Sequence, residues 1–168
     1  MKYWDRRKRH AYYQEVLKVS REAAPEAKNM LDVGTGECEY PTWFDWIPRK
    51  VLVDQRHVPP VPDAVCVKSD FMAYRTKERF DLVTCLQVLE HLEDPRSMAL
   101  RLLQHGRTVV VSAPYMWPEG FCKYHVQDPV SEKKLLSWFP CAPRKTVKVT
   151  EPGSTIVRLI AVFPGYVR

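Results

Sequence analysis

Glycine is scarce in this chain, with six residues in 168, whereas proline occurs fourteen times. Proline fixes φ and lacks an amide donor, so that imbalance predicts stiff, irregular connections in place of some helices. The five cysteines, Cys38, Cys66, Cys85, Cys122 and Cys141, are odd in number and no two are closer than nineteen positions. That spacing spells neither a paired-thiol zinc site nor a redox motif, and reduced thiols are the expectation. Long apolar runs are missing too. The longest, Leu159–Phe163, is far below the roughly 18 residues of a membrane span. The charged N-terminus is not followed by the apolar stretch of about 7–15 residues that a secretory signal needs. A cytoplasmic protein without a membrane segment is expected. Internal repeats and low-complexity tracts are absent.

What is present suits one folded domain. The length matches a single domain of roughly 100–200 residues, and 45% hydrophobic beside 27% charged residues is ordinary for a globular protein with a buried core. A net charge of +6 and a pI near 9.1 suit an anionic partner without choosing one. The densest positive charge is Lys2, Arg6, Arg7, Lys8, Arg9 and His10, interleaved with Tyr3, Trp4, Tyr12 and Tyr13. Such a segment fits nucleic-acid binding, or a solvated helix face with aromatic anchors into the core.

Apolar residues at three- and four-residue spacing from about Trp4 to Ala27 predict one basic amphipathic helix, ending near Pro25. Seven short β-rich runs follow, at Asn29 to Val33, Lys50 to Asp54, Ala64 to Lys68, Phe80 to Cys85, Arg107 to Ala113, Lys145 to Thr150 and Thr155 to Phe163. The first, fourth and fifth are apolar on both parities, as in a parallel sheet covered on both faces. Further helices are predicted at Leu86 to Gln104 and Val130 to Trp138, the latter capped by Asp128 or Ser131. Val-Pro-Pro-Val-Pro at 58–62 excludes a crossover helix between the second and third strands. Glu151-Pro152-Gly153-Ser154 predicts a hairpin joining an antiparallel final pair.

The chemistry concentrates at Met30-Leu31-Asp32-Val33-Gly34-Thr35-Gly36-Glu37-Cys38, a hydrophobic strand running into a glycine-rich turn where a backbone can approach a ligand. Eighteen residues after Gly36, the second strand ends in Asp54, placed to accept both hydrogen bonds of a ribose diol. The third ends at Ser69-Asp70-Phe71. This succession, with Phe80-Asp81-Leu82-Val83-Thr84-Cys85 and Val88-Leu89-Glu90-His91-Leu92-Glu93-Asp94-Pro95 after it, resembles the class I S-adenosylmethionine-dependent methyltransferases over about residues 29–113. The fold the resemblance implies is a compact Rossmann-like α/β domain: seven strands, mostly parallel, with an antiparallel C-terminal hairpin and few flanking helices. It further implies that Asp32, Gly34 and Gly36 hold the methionine portion of S-adenosylmethionine, Asp54 the ribose, and Asp70 with Phe71 the adenine, while Gln87 lines the cleft. Cys38 stands where the family often has a third small residue. A dinucleotide-binding turn would need glycine at Glu39 and leaves Asp32 and Glu90-His91 unexplained. A fold that has lost its cofactor and serves as a scaffold is the non-catalytic alternative.

Methyl transfer needs chiefly a nucleophile held in line at about 3 Å without intervening water, and a hydroxyl acceptor gains from a base. His91 and His125 are the candidates, with His125 ahead of His105. His91 also fits a packing role at the start of the helix after the fourth strand. Residues 114–130 form a long loop carrying Tyr115, Trp117, Phe121, Tyr124 and His125, read as acceptor pocket and lid with Tyr115, Trp117 and Tyr124 contacting substrate, or as an aromatic cover for the sheet. The loop resembles a histidine-bearing segment of small-molecule O-methyltransferases. Gln87-x-x-Glu90-His91 with distant His125 resembles the Glu-x-x-Glu-His ligand set of small-RNA 2′-O-methyltransferases, but Gln87 replaces a carboxylate and leaves a loose divalent site, so no metal is assigned. The expectation is a single domain, 1–168, comprising an N-terminal helix at 1–28, a cofactor core at 29–113, an acceptor loop at 114–130 and a helix with the final strand pair at 131–168. The preferred acceptor is a small hydroxylated molecule and RNA is second. Oligomeric state is not readable.

Overall fold

The computed structural model describes residues 3–56, 58 and 60–166. Lys2 of the basic cluster and Pro59 lie outside them, as does the side chain of Tyr3. Strands β1 (Asn29–Val33), β2 (Arg49–Asp54), β3 (Ala64–Lys68), β4 (Phe80–Leu86), β5 (Gly106–Pro114), β6 (Lys145–Thr150) and β7 (Val157–Pro164) form one sheet in the order β3-β2-β1-β4-β5-β7-β6. The first five are parallel. β7 runs antiparallel to both β5 and β6, so the final pair is the expected hairpin.

Period-2 alternation divides the core. Leu31, Val33, Val83, Cys85, Val109 and Val111 face one side with α3 (Pro95–His105) and α4 (Glu132–Ser137). Met30, Leu82, Val110, Ile160 and Val162 face the other with α2 (Ala11–Ala23). Both faces are buried, which explains the unbroken apolar strands.

The N-terminal segment is not one helix. It divides into α1 (Tyr3–Arg7) and α2, with the bend at Lys8–His10. The bend lets Trp4 turn back onto Tyr13, Tyr40 and Trp43, with ring centroids 5.0, 6.4 and 5.2 Å away. The predicted helix at Leu86 to Gln104 is also shorter. Leu86 completes β4, a 3-10 turn spans Leu89–His91, and α3 begins only at Pro95. Proline is favoured at a first helical position, and Asp94 caps it by accepting from the Ser97 amide at 3.0 Å and hydroxyl at 2.6 Å. Ser131, not Asp128, caps α4. As the prolines require, the described residues between β2 and β3 contain no helix.

Candidate active site

β1 delivers the chain into the glycine turn, where Gly34 and Gly36 both adopt positive φ, +81° and +57°. At Gly34 a Cβ would lie 2.3 Å from Val88 Cγ2, so the turn packs directly on the chain leaving β4. At Gly36 nothing lies within 4 Å of a Cβ position. That open side is where a ligand backbone can approach. The Gly36 amide donates to Asp54 Oδ2 at 2.9 Å, and the Arg56 amide donates to Oδ1 at 2.7 Å. Each oxygen keeps a lone pair for a further donor.

Asp32 is fully buried and accepts hydroxyls from Thr35 at 2.5 Å, Thr84 at 2.6 Å and Tyr40. Burial raises its pKa, and these hydroxyls oppose the rise. Its carboxylate is engaged inside the protein, so any hold on a cofactor acts through the turn it braces. Asp70 is exposed and accepts the Met72 amide at 2.8 Å. Phe71 is not free at the sheet edge. Its ring is 4% exposed and packs on Tyr74, His105 and the Arg101 guanidinium. Gln87 follows β4 with φ +57°, an uncommon conformation for a side-chain-bearing residue, and its Nε2 donates to Ser112 Oγ at 3.1 Å. Ser112 Oγ lies 2.5 Å from the Tyr12 hydroxyl, so α2 reaches the same strand ends.

Beyond Gln87, the chain brings Glu90, His91 and His125 together, with one ligand-capable atom of each within 4.8 Å of the others. The two imidazoles meet edge to face at 4.7 Å. His91 Nδ1 donates to the Tyr124 carbonyl at 2.9 Å, and His125 Nδ1 donates to Asp128 Oδ2 at 2.7 Å. In both rings the proton therefore sits on Nδ1, and Nε2 carries the lone pair. Burial lowers the His91 pKa and favours its neutral form. Glu90 is 1% exposed, neither carboxyl oxygen has a hydrogen-bond partner among the described residues, and burial raises its pKa to about 8.

Residues 114–130, the loop expected from sequence to serve the acceptor, are hydrogen-bonded to the segment after β4 and to one another. The Glu90 carbonyl accepts the Val126 and Gln127 amides at 2.9 and 3.2 Å, Gln127 Nε2 donates to the Leu92 carbonyl at 2.8 Å, and the Met116 amide bonds the Val130 carbonyl at 2.9 Å. Trp117 stacks on His125 at 5.7 Å. A cavity of about 260 Å³ is lined by Tyr115, Trp117, Phe121 and Ile156, among others. Tyr124 is not in its lining. Its ring is 63% exposed and contacts Lys123.

The sequence profile of a family described as a methyltransferase domain matches residues 3–144. The chain belongs to this family. No curated protein matches by sequence. Among solved structures, the domain resembles the N-methyltransferase NodS from Bradyrhizobium japonicum WM9, in complex with S-adenosyl-L-homocysteine, at a TM-score of 0.72 and 16% identity over 92% of this chain and 85% of that one. It resembles the 1,6-didemethyltoxoflavin-N1-methyltransferase of Burkholderia thailandensis at a TM-score of 0.76 and 14% identity, covering 96% and 81%. The methyltransferase domain of bacterial CtHen1 matches at 0.69 and 17%, covering 91% and 97%. At these identities the likeness concerns the fold.

In this methyltransferase domain, sequence reasoning missed Asp128 as the partner of His125, named Tyr12 only as an aromatic of the basic segment, and missed Ser112 and Arg158 altogether. Asp128 lies three residues from His125 and had been weighed only as a helix cap. The other contacts join residues far apart in sequence, for which one chain offers no signal.

Proposed function

We propose that this methyltransferase domain uses S-adenosylmethionine and methylates the hydroxyl oxygen of a small acceptor, with His125 receiving the proton. The observation that carries the reading is the His125–Asp128 pair. Asp128 fixes the Nδ1–H tautomer and leaves Nε2 as an acceptor, on a ring that stacks on Trp117, one of the residues lining the cavity. S-adenosylmethionine supplies an activated methyl group on a sulfonium, and the protein's task is to hold the acceptor in line and exclude water. The residues fit that cofactor: Gly36 leaves open space at the turn, and Asp54 retains acceptor capacity. In this reading Gly34 shapes the turn, Asp32 braces it, Asp54 takes the ribose hydroxyls, Asp70 with the backbone near Phe71 meets the adenine, and Gln87 and Ser112 border the methyl group.

The test is transfer of isotopically labelled methyl from S-adenosylmethionine to a panel of phenols, sugars and the corresponding amines. Label in the hydroxyl members supports the reading. Label confined to amines overturns the acceptor class.

A divalent cation is the second reading, favoured by the Glu90 carboxyl, which has no hydrogen-bond partner among the described residues and has a ligand-capable atom of both His91 and His125 within 4.8 Å. Glu90, His91 and His125 would hold it, and the bonds from Nδ1 to Asp128 and the Tyr124 carbonyl would orient the imidazoles. A cation there would polarise an acceptor hydroxyl. RNA as acceptor draws support from exposed Arg6, Lys8 and Arg9 around a surface concavity. Oligonucleotide binding that falls steeply between about 50 and 200 mM salt and disappears on removal of residues 1–10 favours RNA over the small acceptor.

A further inference from the structure

We infer that Tyr12 is a positioning residue for methyl transfer: through Ser112 its hydroxyl sets the Gln87 side chain at the cofactor crevice, with the amide oxygen left for the cationic sulfonium. This rests on the methyl-transfer reading and adds to it a residue from α2.

Gln87 stands where an open α/β sheet binds its ligand. β1 and β4 are the neighbours at which the strand order reverses, and the crevice of such a sheet opens at their carboxyl ends. Gln87 is the first residue past β4, and the next one, Val88, is the side chain that a Cβ at Gly34 would meet. Its backbone is held at φ +57°, a conformation that is costly for a residue with a side chain and persists where the surroundings over-determine it. Ser112 supplies that constraint twice: its carbonyl accepts the Gln87 amide at 3.1 Å, and its Oγ accepts Gln87 Nε2 at 3.1 Å. With Nε2 engaged, Oε1 is the part of the side-chain amide left to accept, and the oxygen end of that dipole suits a cation.

Ser112 is itself fixed by Tyr12. Both are buried, and the Tyr12 hydroxyl lies 2.5 Å from Ser112 Oγ. Tyr12 belongs to the apolar cluster that contains Leu86, Val110 and Ile160, a setting that a phenylalanine ring would suit. The hydroxyl is therefore present at a desolvation cost that its bond to Ser112 offsets. Burial raises the Tyr12 pKa and keeps the phenol neutral. The start of α2 is pinned from the end of β6, because Glu151 accepts the Ala11 and Tyr12 amides at 2.9 and 3.3 Å where His10 provides no side-chain cap. Arg158 donates to Glu151 at 2.9 Å and lies 5.1 Å from the Tyr12 ring centroid. An anchored helix start, a buried hydroxyl and a clamped glutamine thus form one continuous chain of contacts that ends at the crevice.

The test uses the full chain with isotopically labelled glutamine, read by NMR, beside calorimetry with S-adenosylmethionine and S-adenosylhomocysteine. The Gln87 side-chain amide signal is identified by its loss in Gln87→Leu. It is expected to move on saturation with S-adenosylhomocysteine. In the ligand-free protein it should move toward the position of a solvated glutamine in both Tyr12→Phe and Ser112→Ala. Tyr12→Phe should weaken S-adenosylmethionine binding about three- to tenfold and S-adenosylhomocysteine binding by less than about twofold, as should Gln87→Leu. The combined variant should lose no more than Gln87→Leu alone. A tyrosine that only packs α2 on the sheet predicts an unmoved Gln87 signal, equal losses for the two ligands, and losses that multiply in the combined variant. Any one of these results overturns the proposal, and Ser112→Ala carries the same readouts if Tyr12→Phe does not fold. Failure of both ligands to bind the parent overturns the methyl-transfer reading instead, and the Gln87 signal in the ligand-free protein then judges the link from Tyr12 alone.

Discussion

His125 Nδ1 and Asp128 Oδ2 lie 2.7 Å apart, with only 6% and 1% of the two side chains exposed. A carboxylate buried to that degree orients the imidazole, and in the proposed function that orientation serves proton transfer from a hydroxyl acceptor. His125→Ala is expected to lower turnover by about 10²–10⁴-fold while S-adenosylmethionine affinity stays within about twofold of the parent. Asp128→Asn should give a smaller loss, again in kcat and not in cofactor binding. Steady-state kinetics beside calorimetry separates the two. A loss below about tenfold in His125→Ala would leave proximity as the main source of rate.

Asp54 should behave in the opposite way. Its oxygens tie the ends of β1 and β2 through the Gly36 and Arg56 amides and keep capacity for the ribose. Asp54→Ala is expected to weaken cofactor binding by about 1–3 kcal/mol through lost hydrogen bonds. Turnover at saturating cofactor should survive. Unchanged affinity by calorimetry would remove Asp54 from the ribose site.

Glu90 makes the ligand-free protein sensitive to alkali. Its folded carboxyl titrates near 8, against an ordinary value of 4.5. Between those limits the folded state retains a proton that the unfolded chain has released, so rising pH favours unfolding. Its contribution to stability is full below the ordinary value and lost as pH rises through about 8, amounting to a few kcal/mol. Glu90→Gln should flatten that decline in Tm and exceed the parent in stability at about pH 8–9. If the cation reading holds, a divalent ion should raise Tm in the parent increasingly as pH rises and leave Glu90→Gln unmoved. Parallel pH profiles for parent and variant would contradict the role of burial at this site.

Gly34 tests the turn itself. A methyl there meets Val88 at 2.3 Å in a backbone at φ +81°. Gly34→Ala should destabilise the fold by about 1–3 kcal/mol or more, measured by denaturant unfolding. Adding Val88→Ala should recover the part due to the clash and leave the part due to strain. No recovery would mean the turn does not pack on the segment after β4.

The strands of the sheet were legible because each is a short apolar run bounded by breakers, and Val33-Gly34 and Val53-Asp54 fall where strand ends meet a ligand in open α/β sheets. Helix limits were less legible. Leu86 to Gln104 has continuous helical periodicity, yet Pro95 and the Asp94 cap set the true start, and the residues before it turn Glu90 inward. The cation run at Arg6–Arg9 was visible in the sequence but the bend was not, since it comes with Trp4 packing on Tyr40 and Trp43, over thirty positions away. His91 and His125 were recognised separately. Their meeting, and the approach of Arg158 to both Tyr12 and Trp117, depends on sheet topology that local pattern does not encode.

Calorimetric titration of S-adenosylhomocysteine into the purified protein tests the central claim most directly. One-to-one binding, weakened in Asp54→Ala and preserved in His125→Ala, is the predicted result. No heat and no thermal stabilisation at millimolar ligand, while a nicotinamide dinucleotide binds, would contradict it.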